Sequence, residues 1–291
     1  MSIDAAGAAS VKGKLYLVPN TLDFGVDLGG VEVGAAGGTA GGTSGGAARV
    51  TLPDLQTVLP LQAIQVASQL GHWVAENAKT TRAFLKRVDA LVPLKHSLQS
   101  LSMVELPRPQ KGQRDPKPAP DSTLNSPMDA LLAPALHGFD IGLISEAGLP
   151  AVADPGAALV AAAHRLNVRV VPLSGPSSLM MALSASGLNG QSFAFVGYLP
   201  VDNVQRLNRA RELEALSKRL QQTQIMIETP YRNQALLGAL LAGLDPSCWL
   251  SVSCGLTLPG GWTRTDRVSA WQRKPASLPN DVPAVFALLA D

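Results

Sequence analysis

The feature that most limits the fold is a doubled unit between residues 141 and 186. An apolar run at 141–144 meets the turn formers Gly148, Pro150, Asp154, Pro155 and Gly156, and a helical pattern follows over 157–166. A second cycle begins at once. Residues 168–173 are β-branched and apolar, Ser174-Gly175-Pro176 breaks the run, and helical spacing resumes over 177–186. Repeated strand-loop-helix units predict a parallel sheet and an α/β fold. Ligands of such sheets collect beyond the carboxyl ends of the strands, so both Gly/Pro/Ser loops are expected at the site.

The flanking sequence extends the same alternation. Residues 14–18 read as a first strand entering the loop Pro19-Asn20-Thr21, 55–70 as helical, 72–75 as a strand, 79–88 as a helix and 128–136 as helical again. Beyond Gly190 come a strand (193–199), a long charged helix (203–221) with its basic residues outward, a strand (224–228), a helix (233–244) and three strand-like runs (249–254, 263–268 and 283–289). The expected organisation is therefore two α/β domains, residues 1–189 and residues 190–291. Two insertions interrupt the first domain. Ten of the 27 glycines fall between Gly25 and Gly46, within a segment at about 23–50, and six of the 22 prolines fall in a segment at about 107–127. The glycine run has no G-x-G spacing and leads directly into no helix, so it is not a dinucleotide fingerprint.

With 291 residues, 46% of them hydrophobic, the chain is long enough for two cores. A net charge of +2 announces no nucleic-acid groove, so any phosphate contacts are expected from a local patch, at 108–117 or on the helix carrying Arg206 and Arg219. Cys248 and Cys254 lack the paired spacing of a zinc site and are expected as buried free thiols; no metal site is expected. The opening MSIDAAGAAS shows no basic region followed by an apolar one, so no secretory leader is expected. Residues 170–201 carry no charge, but prolines and glycines would break a spanning helix, and the run is read as buried parallel-sheet core of a cytoplasmic protein.

Two residues stand out as candidate acid–base groups, Glu76 and His96. Glu76 sits where a strand ends and a helix begins, which suits either a helix N-terminus or a carboxylate lining a ligand crevice. His96 follows a short apolar run. The Ser174–Ser178 elbow resembles a nucleophile turn only superficially, because Leu179 stands where the G-x-S-x-G pattern needs glycine.

Taken together, Ser145-Glu146-Ala147-Gly148-Leu149-Pro150, Asp154-Pro155-Gly156, Gly175-Pro176-Ser177-Ser178 and Glu228-Thr229-Pro230-Tyr231-Arg232 resemble, in order, motifs of the tetrapyrrole methylase (corrin/porphyrin methyltransferase) superfamily. The likeness is nearest to the branch of ribosomal RNA small-subunit 2′-O-methyltransferases. It implies two α/β domains with a cofactor cleft between them and an S-adenosyl-L-methionine-dependent methyltransferase, usually a homodimer, acting on RNA or a tetrapyrrole; the alternative is a module that binds this cofactor without turnover. Carried over by position, the cofactor contacts would be Pro19, Asn20, Thr21, Gly148, Pro150, Ala151, Val152, Ala153, Asp154, Ser177, Ser178, Ile227, Glu228, Leu256 and Thr257. A base such as Glu76 or His96 is needed only for a poorly nucleophilic acceptor. The first-strand loop lacks the Gly-Pro-Gly-Asp of the tetrapyrrole enzymes, and Glu76-Asn77 stands where the ribosomal branch has an acidic pair.

Overall fold

A computed structural model of the chain describes residues 11–23, 54–107 and 126–291, so the two insertions lie almost wholly outside the described residues. The chain divides into two compact units, Met1–Gly175 and Pro176–Asp291.

The first unit contains β1 (Lys14–Leu17), α1 (Leu61–Gln69), β2 (His72–Ala75), α2 (Ala78–Asp89), β3 (Ser102–Glu105), α3 (Pro127–Leu131), α4 (Ala133–Leu136), β4 (Ile141–Ile144), α5 (Ala157–Arg165) and β5 (Arg169–Pro172). Its strands form one sheet in the order β3-β2-β4-β1-β5. Every pairing is parallel. Successive strand residues point to opposite faces, and the burial follows that alternation. Trp73 and Ala75 pack with Ile64, Phe84 and Leu85 of α1 and α2, while Leu15, Val74 and Leu143 pack with Leu132, Ala135 and Leu159 of α4 and α5 and the residue between the short helices. Helices therefore cover both faces, which a fully parallel sheet requires.

Local chemistry sets the helix ends. Asn77 caps α2 by accepting from the Lys79 and Thr80 amides. Ser126 and Asp129 form a capping box around Pro127 at the start of α3. The helical stretch expected over 55–70 is broken at Pro60 into a 3-10 turn and α1. Strand β3 has no apolar alternation to signal it; it is a short, mostly exposed edge strand recruited by pairing with β2.

The second unit contains α6 (Ser178–Ser186), β6 (Phe193–Tyr198), α7 (Asn203–Leu220), β7 (Thr223–Ile227), α8 (Asn233–Gly243), β8 (Trp249–Cys254), β9 (Trp262–Arg267), α9 (Val268–Arg273) and β10 (Ala284–Leu289). The sheet order is β6-β7-β10-β8-β9. Only β6 and β7 pair in parallel. Leu179, Ala182 and Leu183 of α6 pack on Ile225, Val285 and Ala287, and the opposite face carries α7, α8 and α9. This packing moves the boundary from residue 189 to Gly175, because α6 covers the second sheet.

Two further expectations are corrected. The uncharged run at 170–201 is no continuous core: β5 and β6 are edge strands of their own sheets, and Phe193, Phe195 and Tyr198 are 38%, 37% and 55% exposed. Nor is Arg206 on the outer face of α7. It is buried and donates to the carbonyls of Pro200 and Val201 at 2.9 and 2.6 Å, which removes it as a phosphate contact. Both cysteines are free and buried, as expected, and burial pushes the Cys248 thiol up to about 12. Among the described residues no helix is long and apolar enough to cross a membrane.

Gly142 in β4 leaves the space that Trp73 fills; a Cβ there would lie 2.7 Å from the indole. Gly142→Ala is expected to destabilise the first unit by about 1–3 kcal/mol through overpacking. Urea unfolding followed by tryptophan emission checks this, and an unchanged midpoint would contradict the packing described.

Candidate active site

Strand β4 is buried along its whole length and sits between β2 and β1. The chain leaving β2 goes to α2 on one face, and the chain leaving β4 goes to α5 on the other. Adjacent strands whose connections part to opposite faces leave a crevice at their carboxyl ends. The loops that reach it are 18–23, 76–77, 145–156 and 173–175.

Asn20 ties the first of these to the third. Its side-chain amide donates to the carbonyls of Ser145 and Glu146, both at 3.0 Å, and its Oδ1 accepts from the Thr21 amide at 2.8 Å. The Asn20 amide donates to the Gly148 carbonyl at 2.8 Å, and the Gly148 amide returns a bond to the Thr21 carbonyl at 3.3 Å. Pro19 packs against Gly175, where a Cβ would lie 2.1 Å from the proline ring. Glycine is required by that approach.

The loop after β4 holds an unusual backbone. Gly148, Ala151, Ala153 and Gly156 have φ of 67°, 65°, 63° and 131°. Two alanines in the left-handed region cost on the order of 1 kcal/mol or more each and persist only where their surroundings impose the conformation. Pro150 is buried in this loop, and Val152 and Ala153 are exposed. Ser145 is buried, and its Oγ has no hydrogen-bond partner.

Three carboxylates meet here. Glu76, just beyond β2, does not serve the α2 N-terminus, since Asn77 is the cap; its Oε2 instead accepts from the Glu146 amide at 3.1 Å. Burial raises the Glu76 pKa above its ordinary 4.5, the bond from the Glu146 amide opposes the rise, and the Glu146 charge adds to it. Asp154 is pushed up to about 7, first by burial and then by the charges of Glu76 and Glu146. Glu146 and Ser145 were not among the sequence candidates. Their place immediately beyond a buried apolar strand was the available signal.

His96 is not part of this group. It lies against Gly71, whose Cβ would be 3.2 Å from the imidazole, at the amino end of β2. Glu76 follows the carboxyl end of that four-residue strand, about 13 Å away at the usual rise per residue. The cause is topological: residues 93–101 return the chain to the start of β3, which is parallel to β2. One acceptor atom cannot meet both groups.

In the second unit, Ser177 caps α6, and Ile227 and Leu256 pack against the α6 cluster, so these residues share one neighbourhood with Ser178. Thr257 has a φ of 69° in the turn after β8. Glu228 is buried and accepts from the Thr229 amide at 2.8 Å and from Arg232 at 2.5 Å.

The raised Asp154 pKa makes a prediction with a definite sign. Between about 4 and 7 the folded protein holds a proton that the unfolded chain has released, so this group lowers stability as pH rises through that window. Asp154→Asn removes the effect. The variant is expected to gain stability relative to the parent between pH 4 and pH 8, measured by denaturant unfolding at each pH; a difference independent of pH would contradict the raised pKa.

No family model matches the sequence. A "Ribosomal RNA small subunit methyltransferase I" of Mesorhizobium japonicum is 46% identical over 114 residues, 39% of this chain and 37% of that protein. One of Halalkalibacterium halodurans is 29% identical over 180 residues, 62% of this chain and 53% of that protein. The chain thus spans between about a third and about half of the length of the curated relatives it matches. Among solved structures, a uroporphyrin-III-C-methyltransferase of Thermus thermophilus aligns over 96% of this chain and 94% of its own, with 18% identity and a TM-score of 0.48. The resemblance read from the motifs is borne out to this extent: over the matched segments the chain is similar in sequence to proteins named ribosomal RNA small subunit methyltransferase I.

Proposed function

We propose that the chain is a methyltransferase that uses S-adenosyl-L-methionine to methylate a hydroxyl of RNA. The observation that carries the reading is the carboxylate group of Glu76, Glu146 and Asp154 at a crevice walled by loops of small residues. The names of the sequence relatives support it.

The residues present fit such a cofactor. The cofactor carries a sulfonium and an α-ammonium, and carboxylates nearby favour positive charge. The unpartnered Ser145 hydroxyl and the loop 148–156, with its exposed backbone and small side chains, suit an adenosyl group that needs close main-chain approach. Pro19 and Thr21, with Gly148 to Asp154, would hold it within the first unit. Asn20 shapes the loops from beneath, because its side chain is already bonded within them.

When bound, the cofactor supplies an electrophilic methyl group for in-line displacement. What the chain adds is position and a proton acceptor. Alignment of donor and acceptor at about 3–3.5 Å supplies much of the rate. A ribose hydroxyl is a poor nucleophile, so a base is required, and Glu76 fills that role with its carboxylate fixed by the Glu146 amide. Asp154, pushed up to about 7 first by burial and then by the neighbouring carboxylates, holds a proton below that pH and releases it above.

Calorimetric titration with S-adenosylmethionine and transfer of labelled methyl to small-subunit ribosomal RNA test the proposal. Binding and transfer are both expected, and Glu76→Gln is expected to lower kcat by about 10²–10⁴-fold while cofactor Kd stays within a few-fold. No cofactor binding would overturn the reading; binding without turnover would leave only a binding module; methylation of a tetrapyrrole but not RNA would overturn the acceptor.

A further inference from the structure

The amino ends of the first unit's strands carry a second cavity, about 630 Å³ in volume, whose lining includes Tyr16, His72, Lys95, His96, Phe139 and Asp140. It lies at the opposite end of the parallel sheet from Glu76 and shares no residue with the crevice described above. Its size is that of a small-molecule site. Its chemistry differs from the acidic end: one lysine and two histidines supply donors, and four aromatic or imidazole rings supply flat surface.

We propose that this cavity binds the 5′-monophosphate of a nucleoside, base against Phe139 and phosphate toward Lys95 and His96. Phe139 is 55% exposed, and its ring is held 5.1 Å from the His72 ring at 50°, so its orientation is set while part of its surface stays open. An exposed aromatic ring fixed by a neighbour is a stacking platform for a base. Buried His72 Nδ1 has no hydrogen-bond partner, and a polar atom left so is satisfied by a ligand or water. Lys95 lines the cavity, is exposed, and has its backbone anchored by its amide donating to the Ser68 carbonyl at 2.8 Å. The His96 imidazole lies against Gly71, where a Cβ would come within 3.2 Å of the ring.

Competing ligands fit less well. Among the described residues no group of three or more His, Cys, Asp or Glu is placed to hold a metal ion. A bare anion leaves Tyr16 and Phe139 without a role, and an apolar ligand would strand Lys95 and the histidines. One carboxylate, Asp140, faces the cavity; its Oδ1 already accepts from the Lys14 amide at 2.8 Å, and it offers an acceptor for a base amino group.

The same moiety occurs free or within RNA, and the test separates the sources. The full chain is titrated by calorimetry with adenosine and uridine 5′-monophosphates, with the corresponding nucleosides, with inorganic phosphate and with a short 5′-phosphorylated single-stranded RNA. The monophosphates are expected to bind at least tenfold more tightly than the nucleosides or phosphate alone. Phe139→Ala and Lys95→Glu are each expected to weaken binding about tenfold, and Lys95→Glu is expected to flatten its salt dependence. Tighter binding of the RNA with the same losses assigns the site to RNA; binding of monophosphates alone assigns it to a free nucleotide. Equal affinity for nucleosides and monophosphates, or unchanged affinity in both variants with unfolding curves matching the parent, overturns the proposal. Glu76→Gln, at the other end of the sheet, is expected to leave these affinities unchanged, so the outcome is independent of methyl transfer.

Discussion

The first unit depends on how the loop after β1 is fastened to the loop after β4. Those strands are neighbours whose chains must separate, and Asn20 spans the gap with two side-chain bonds to carbonyls beyond β4 and a reciprocal backbone pair with Gly148 and Thr21. Buried, such an amide is costly to leave unpaired, so it selects one arrangement of the loops. With that arrangement held, Gly148, Ala151, Ala153 and Gly156 can keep backbone angles that an untethered loop would relax. Glu76 then has the Glu146 amide within reach, and Asp154 is brought among like charges. The raised pKa values of Glu76 and Asp154 come first from burial and then from the neighbouring carboxylates that these loops bring together.

A parallel sheet makes its two ends chemically different, and this one amplifies the difference. Every strand of the first unit ends on the same side, so side chains just past the strands converge there, and three of them are carboxylates. Those just before the strands converge on the other side, where His72, His96 and Lys95 gather. The acidic end favours a cationic ligand; the opposite end offers two imidazoles, one lysine and one carboxylate, Lys95 and Asp140, beside the rings of Tyr16 and Phe139.

What was legible in the sequence was the part written in local patterns. Strand-loop-helix alternation announced the α/β class and placed the loops at 148–156 and 174–176 at one site, because both follow apolar runs and are built of turn formers; the loop at 19–21 joined them only through the family resemblance. Glu76 was visible as a residue at a strand end, but its two readings could be separated only by finding Asn77 on the helix amides and Glu146 on the carboxylate. Less legible was anything decided by distant pairing. Strand β3 forms because β2 offers an edge, α6 belongs to the second sheet because Ile225 and Val285 complete its core, and His96 lies far from Glu76 because the strands are parallel. None of these relations has a period or spacing in the chain. The buried position of Arg206 was hidden for a related reason: its partners are carbonyls, and a sequence shows no signal for which carbonyls lack donors.

The segment Glu228 to Asn233 shows why a motif and a set of ligand contacts are different things. Read in isolation, a carboxylate, a hydroxyl, an aromatic ring and a guanidinium in six residues invite assignment as a binding surface. In the second unit the Glu228 side chain is fully buried, bonded to the Thr229 amide and paired with Arg232, while Asn233 reaches across to the Val282 carbonyl at 3.0 Å. Removing one partner of a buried pair leaves an uncompensated charge, a change that typically costs about 3–5 kcal/mol. The motif therefore holds the turn between β7 and α8, and its charges are largely consumed in doing so. Glu228 Oε2 and Arg232 Nε remain without partners, so the pair is not closed on itself. A contact between this segment and a ligand would run through those two atoms or through the backbone at Ile227, and the paired carboxylate oxygen would act by keeping that backbone in place.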